Sequence, residues 1–379
     1  MKDLTPPITV ETPDLIALRA EVRAWIAEEI ARNGFVPNVD SWMSSWDREF
    51  TLRLASKGWL GMTIPIEYGG HGRSFLERFV VTEELLAAGA PVTAHWFADR
   101  QVAPSLLRFG TEEQKRRFLP GIARGEVLFA IGMSEPDSGS DLASVRTKGT
   151  KVDGGWSVTG TKVWTSNAHL ADWFVVLART EPLDPQHRHD GLSQFLIDLR
   201  QPGVTVRPIR SLSGEEHFNE VFLDDVFVPD DLVLGEAGQG WAQVTSELAF
   251  ERSGPERFLS TMPLLESLLA STRAGSEVPD HALGRYFART VALHTMSAAV
   301  AGGLSRHERL DVAAALVKDV GTATEADLVE WAGDMLDDDT PERVRALTDR
   351  ALLTRPGYTL RGGTNEILRG VITRELGLR

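Results

Sequence analysis

FAIGMSEPDSGSD (residues 129–141) stands where the texture of the chain changes. Before it, apolar residues recur at three-four spacing, as in ETPDLIALRAEVRAWIAEEIARN from Glu11, with Thr12 placed to cap a helix ahead of Pro13. TEEQKRRFLPGIARGE, from Thr111, opens on a cap residue followed by two acids. The stretches 47–60 and 74–90 carry the same period. After it come short β-rich runs separated by turns: WSVTG, WFVVLART, SQFLIDL, GVTVRPI and EVFLDDVFVP. Gly154-Gly155, between KVD and WSV, marks a hairpin. From Gly240 the helical period returns over 240–270, 282–304, 310–336 and 341–353, with a last helix from about residue 364. The expected plan is α+β: an α-helical region (1–126), a central β-barrel or sandwich (127–235) and a second helical region (236–379). Ligands favour the clefts such a plan creates.

Composition narrows the function. The chain has 379 residues, with 42% hydrophobic and 25% charged, ordinary for a globular protein. Its net charge of −14 argues against a general nucleic-acid or anionic-membrane surface. With no cysteine, disulfides, thiolate metal sites and cysteine nucleophiles are excluded. MKDLTPPITVETPDL has no apolar signal core, and no apolar run reaches membrane-spanning length, so the cytoplasm is the default compartment. The nine histidines show no metal spacing such as H-E-x-x-H, and no G-x-S-x-G elbow is present.

Three stretches could carry chemistry. In 129–141, Gly139 and Ser140 let backbone N–H groups approach a ligand and Ser134 adds a hydroxyl. A phosphate or carbonyl could be held this way, though an inter-strand loop would look the same. GTKVWTSNAHLADWF (160–174) sets the flat face of Trp164 beside the donors Thr165, Ser166 and Asn167. That suits a flat heteroaromatic ring, and equally a core tryptophan at a strand end. YTLRGGTNEILRGVITREL (358–376) places Gly362-Gly363 before Thr364, a natural helix cap, with Glu366 following; a helix start of this kind is also an anion site.

Taken together, GWLGMTIPIEYGGHG (58–72), FGTEEQKRRFLPGIARGE (109–126), MSEPDSGSDLASVRT (133–147), GTKVWTSNA (160–168) and GGTNEILRGVITRELGL (362–378) resemble the acyl-CoA dehydrogenase family, in family order and over nearly the whole chain. The resemblance implies a helical N-terminal domain, a central β domain, a C-terminal four-helix bundle, and FAD between the last two. It implies that Met133 and Ser134 touch the pyrimidine side of the flavin, that Trp164 packs near the ring with Thr165 alongside, and that Ser166 bonds near N5. Gly139 and Ser140 fall in the same cofactor loop, with Ser140 also toward the pantetheine arm, and Arg252 and Phe250 fall on the substrate side. Gly363, Thr364 and Glu366 fall where the chain approaches the FAD phosphates. The implied reaction removes the α proton of an acyl-CoA while hydride leaves the β carbon for flavin N5, giving the trans-2-enoyl thioester.

That reaction needs a carboxylate in a drying pocket, where its pKa rises toward the working pH. Many family members carry it just before the Gly-Thr of the last motif, but here that position is Gly362. A minority carry it on the first long helix of the bundle, and in LAFERSGPERF (248–258) the matching residue is Glu251, with Glu247 and Glu366 as weaker alternatives. The family's Arg-x-x-Phe-Gly and Gln-x-x-Gly-Gly stretches, which reach the far end of FAD across a subunit interface, have no counterpart here; Arg285 and Arg289 lie where they could substitute. The implied partners are an electron-transfer flavoprotein and either a homo-oligomer or a hetero-oligomer with a related subunit, as in heteromeric members acting on bulky or steroid side-chain acyl-CoAs. An acyl-carrier-protein thioester is an alternative substrate, and a non-catalytic partner subunit an alternative role.

Overall fold

The computed structural model describes residues 6–273, 280–308 and 310–378, without the side chains of 247–251, 272–273 and 280. Local signals set the first helices. Thr12 caps α1 (Pro13–Ala31), its hydroxyl accepting from Leu15 N–H with Pro13 in the first turn. Short helices α2 (Ser41–Ser44) and α3 (Arg48–Ser56) follow, then α4 (Phe75–Ala87), opened by a capping box between Ser74 and Glu77. Next come α5 (Thr93–Phe97), α6 (Ala103–Phe109) and α7 (Glu112–Ala123), the last opened by a second box between Thr111 and Gln114.

Strands β1 (Phe129–Gly132), β2 (Lys148–Val152), β3 (Gly155–Ser166), β4 (Trp173–Arg179), β5 (Leu192–Asp198), β6 (Val204–Ile209), β7 (Phe218–Pro229) and β8 (Val233–Leu234) form one sheet. Its order is β6-β7-β3-β2-β4-β5-β8, with β1 parallel to β4. Val152 pairs with Gly155, so the β2–β3 turn is Asp153-Gly154, one residue earlier than the double glycine suggests, with Gly154 at φ +71°.

Helices return as α8 (Gly240–Glu251), α9 (Met262–Arg273), α10 (Asp280–Ser305), α11 (Asp311–Asp334), α12 (Glu342–Thr354) and α13 (Asn365–Glu375). The single helix expected over 240–270 is broken. Gly254-Pro255 removes an N–H donor and disfavours the preceding helical turn, leaving only a 3₁₀ turn at Pro255–Arg257.

The chain packs as two compact units. One joins Met1–Ser45, Arg73–Val92 and Glu251–Arg379; the other joins Trp46–Gly72 and Thr93–Phe250. In the sheet unit, α7 lies on the sheet through Phe118, whose ring meets Trp173 edge-on at 4.9 Å and Phe129 at 5.6 Å. Burying each such ring contributes ~1.5–3 kcal/mol. Gly132 is demanded by contact: a Cβ there would lie 2.1 Å from the Phe174 ring. In the helical unit, Val39, Leu264, Leu268, Val329, Leu347 and Tyr358 share a core. Among the described residues no helix is long and apolar enough to cross a membrane, and no acidic or histidine cluster is arranged to hold a metal ion.

Candidate functional site

Strand β3 buries Gly155, Val158 and Lys162 before its pairing with β7 slips beyond Lys162. Lys162 faces Val221 and Thr165 faces Asn219, so β3 carries one extra residue between them, a β-bulge. Trp164 sits in that bulge at φ +59° with 59% of its surface exposed. Left-handed backbone costs a residue with a Cβ roughly 1–2 kcal/mol. An exposed tryptophan held in such a conformation is an outlier of the kind found at ligand sites. The indole stands edge-on to Phe218 at 5.9 Å. Past the bulge the buried phase has shifted, and Thr165 turns inward. Asn219 pins it there, its Nδ2 donating to the Thr165 carbonyl at 3.0 Å.

The loop after β1 closes against this edge. Val163 N–H donates to the Ser134 carbonyl at 2.9 Å, and Lys162 Nζ to the Met133 carbonyl at 3.0 Å. Met133 and Ser134 are thus brought beside the strand segment that carries Trp164, Thr165 and Ser166. Beyond them Glu135 and Ser138 exchange backbone hydrogen bonds of 2.7 and 3.1 Å, making a tight turn. Gly139 and Ser140 follow the turn and are exposed, and nothing lies within 4 Å of where a Gly139 Cβ would be. The buried serine of the loop is Ser138, whose hydroxyl donates to the Asp141 carbonyl at 2.8 Å.

A buried ion pair that sequence reasoning missed holds this loop. Glu135 accepts from Lys162 Nζ at 2.8 Å, from Arg146 N–H at 2.7 Å and from Thr147 N–H at 2.9 Å. Lys162 has no exposed surface, and burial pushes its ammonium down to about 8 against the attraction of Glu135. Burial opposes ionisation of Glu135 too, but Lys162 and the N–H donors outweigh it and bring the carboxyl below its ordinary range. The sequence held one signal: Lys162 shares the inward phase of β3 with Val158, where a lysine needs a buried partner.

In the helical unit, Gly362 and Gly363 turn the chain at φ +69° and +86°, conformations suited to glycine. Thr364 then caps α13, its hydroxyl accepting from Ile367 N–H at 3.3 Å. Arg252 joins this turn, its Nε donating to the Gly362 carbonyl at 3.3 Å. Below, Asn365 accepts from the fully buried Lys318 Nζ at 2.6 Å. Glu366 is exposed, and hydrogen bonds from its own N–H and from Thr364 at the helix start hold its carboxyl below the ordinary range. A carboxyl held down this way is a poor base. Arg289 is engaged with Asp327 at 2.7 Å. The side chains of Glu247, Phe250 and Glu251 lie outside the described residues.

The family model for the acyl-CoA dehydrogenase N-terminal domain matches residues 12–126, and that for the middle domain matches residues 130–226. The chain belongs to the acyl-CoA dehydrogenase family. It is 42% identical over 246 residues to acyl-CoA dehydrogenase FadE34 of Mycobacterium tuberculosis (strain ATCC 25618 / H37Rv), covering 64% of this chain but 32% of that protein. It spans less than two thirds of the next three curated relatives as well. With acyl-CoA dehydrogenase FadE29 of the same strain it shares 32% identity over 95% of this chain and 96% of that one. Among solved structures it is similar to the Tcur3481-Tcur3483 steroid ACAD, with 30% identity, TM-score 0.82, and 99% and 98% of the two chains covered. It is also similar to the ChsE4-ChsE5 complex from Mycobacterium tuberculosis, with 30% identity, TM-score 0.80, and 98% and 99% covered.

This acyl-CoA dehydrogenase family member also buries a titratable acid. Glu325 accepts from Ser260 N–H at 2.6 Å, and burial pushes its carboxyl up to about 8, against the pull of Arg361. The folded state keeps the proton where the unfolded chain, with a glutamate pKa of about 4.3, has lost it. The stability this group contributes is therefore full below about pH 4 and is lost progressively as pH rises to about 8. Glu325→Gln keeps an acceptor for Ser260 and removes the titration. Its melting temperature should lie close to the parent's near pH 5 and several degrees above it near pH 9, which thermal melts at the two pH values check.

Proposed function

We propose that this chain carries the FAD-dependent α,β-dehydrogenation of an acyl-CoA thioester, with Glu251 as the base. The observation that carries the cofactor half is Trp164, presented to solvent from a bulge beside the Met133–Ser134 loop. A flat indole face next to backbone and hydroxyl hydrogen-bonding groups fits a tricyclic ring. The tandem-glycine turn that leads into the α13 start leaves the backbone open to close approach by an anionic group. By motif position, Met133, Ser134, Trp164, Thr165 and Ser166 would hold the flavin ring, Gly139 and Ser140 its neighbourhood toward the pantetheine arm, and Gly363, Thr364 and Glu366 the phosphate end. FAD, when bound, supplies the acceptor for the hydride leaving the β carbon.

The chain's own residues do the rest. Glu251 takes the α proton onto its carboxylate. Gly362, where a side chain would otherwise stand, leaves its carbonyl to Arg252. Arg252 and Phe250 fall on the thioester side. The names of these relatives, each an acyl-CoA dehydrogenase, support this reading. The steroid ACAD supports a bulky acyl group, and the two-component names of both solved structures support a second subunit as partner. An electron-transfer flavoprotein would take the electrons.

The test is an absorbance spectrum of the chain, alone and with candidate companion subunits, followed by anaerobic titration with acyl-CoAs of increasing bulk. Flavin bands that bleach with a preferred thioester are the expected result. A protein that stays colourless with FAD and every companion overturns the proposal.

A further inference from the structure

The turn at Gly362-Gly363 is gripped by a knot of buried charge in the helical unit. Arg361, immediately before it, donates from Nη1 to Asp40 Oδ1 at 2.7 Å, with 11% and 3% of the two side chains exposed. Its guanidinium stacks on Trp42 at 4.8 Å and on Tyr358 at 5.2 Å. Ser260 ties the same knot to the segment after Arg252. Its carbonyl accepts from Asp40 N–H at 2.9 Å, its hydroxyl accepts from Trp42 Nε1 at 2.9 Å, and that hydroxyl donates to the Glu256 carbonyl at 2.8 Å. Glu256 and Arg257, both buried, pair at 3.7 Å beneath. One cluster therefore holds both segments of this unit that bear on the site: the one following Glu251–Arg252 and the one leading into Thr364.

Two features of the cluster cost stability. Asp40, 2% exposed, adopts left-handed backbone at φ +54°. Arg361 Nε is buried with no hydrogen-bond partner among the described residues, a loss of ~1–3 kcal/mol. Departures of this sort concentrate where geometry is selected over stability. They fall here on the two residues that hold the turn.

We propose that Arg361, oriented by Asp40 and stacked between Trp42 and Tyr358, is a positioning residue for the flavin-dependent reaction. It sets the Gly362-Gly363 turn, and with it the path of the backbone into Thr364 and α13. The functional half of this inference rests on the flavin reading above. Lysine would keep the charge but lose the planar stack and the fork geometry, and asparagine at 40 would keep the shape but lose the charge.

The test uses the full chain, with its companion subunit if one is required, as Arg361→Lys and Asp40→Asn. Hydrogen exchange at amides 362–368 is followed below the melting temperature of each variant, and FAD affinity is followed by quenching of flavin fluorescence. Both variants should exchange these amides at least about tenfold faster than the parent, with the sheet amides unchanged, and bind FAD about tenfold more weakly, the size expected when a charge-assisted hydrogen bond is lost. Exchange at 362–368 equal to the parent's in both variants overturns the proposal, as does faster exchange without loss of FAD affinity. A parent that binds no FAD refutes the flavin reading and the functional half with it, while the exchange data still judge the hold on the turn.

Discussion

Glu251→Gln should leave a folded protein with the parent's flavin spectrum that no longer bleaches when an acyl-CoA is added anaerobically. The amide matches the carboxylate in shape but cannot accept the α proton. General base catalysis contributes ~10²–10⁴-fold. Glu366, the alternative near the last motif, is exposed and held ionised at a helix start. The rate of flavin reduction, measured by stopped flow, should therefore fall by roughly 10²–10⁴-fold. Reduction at near the parent rate would remove Glu251 from the mechanism while leaving the family and the fold untouched.

Lys162→Met should give the largest loss of stability among single changes near the loop after β1. The substitution fits the stem of the lysine but deletes its charge, leaving Glu135 buried with only the Arg146 and Thr147 N–H donors. Removing one partner of a buried pair costs ~3–5 kcal/mol, because the other charge stays in a low-dielectric site. That corresponds to a melting temperature lower by roughly 4–6 °C in a chain of this size. The Met133 carbonyl loses its Lys162 donor in the same step. Any flavin that remains bound should show shifted absorption bands. A variant that melts with the parent would mean that the pair is replaceable by apolar packing.

Much of the fold was legible. Caps at Thr12, Thr111 and Thr364 announce helices because a hydroxyl before a helical run satisfies N–H groups within three residues, with no help from the rest of the chain. All five β-rich runs became strands for the same local reason. The 240–270 helix was overextended: the helical runs on either side were joined across 252–261, where Gly254-Pro255 breaks the chain into two helices. The candidate site was legible as residue types and only partly as geometry. Trp164, Met133 and Ser134 were singled out, and the Met133 and Ser134 carbonyls are bonded to Lys162 and Val163, the two residues before Trp164. Glu135 and Lys162 were passed over because each, alone, reads as a solvated charge.

The sequence by itself determined the order of elements, the helix starts and the family, since each is written in short-range pattern. Only tertiary structure decided the rest. The bulge that turns Trp164 outward exists because β3 and β7 pair with unequal counts of residues, which neither strand shows alone. Glu135 and Lys162 stand 27 positions apart, and Asp40 and Arg361 stand 321 apart. A charge can be buried only when its partner is buried with it, so these residues acquire their roles at the moment distant segments meet and water leaves.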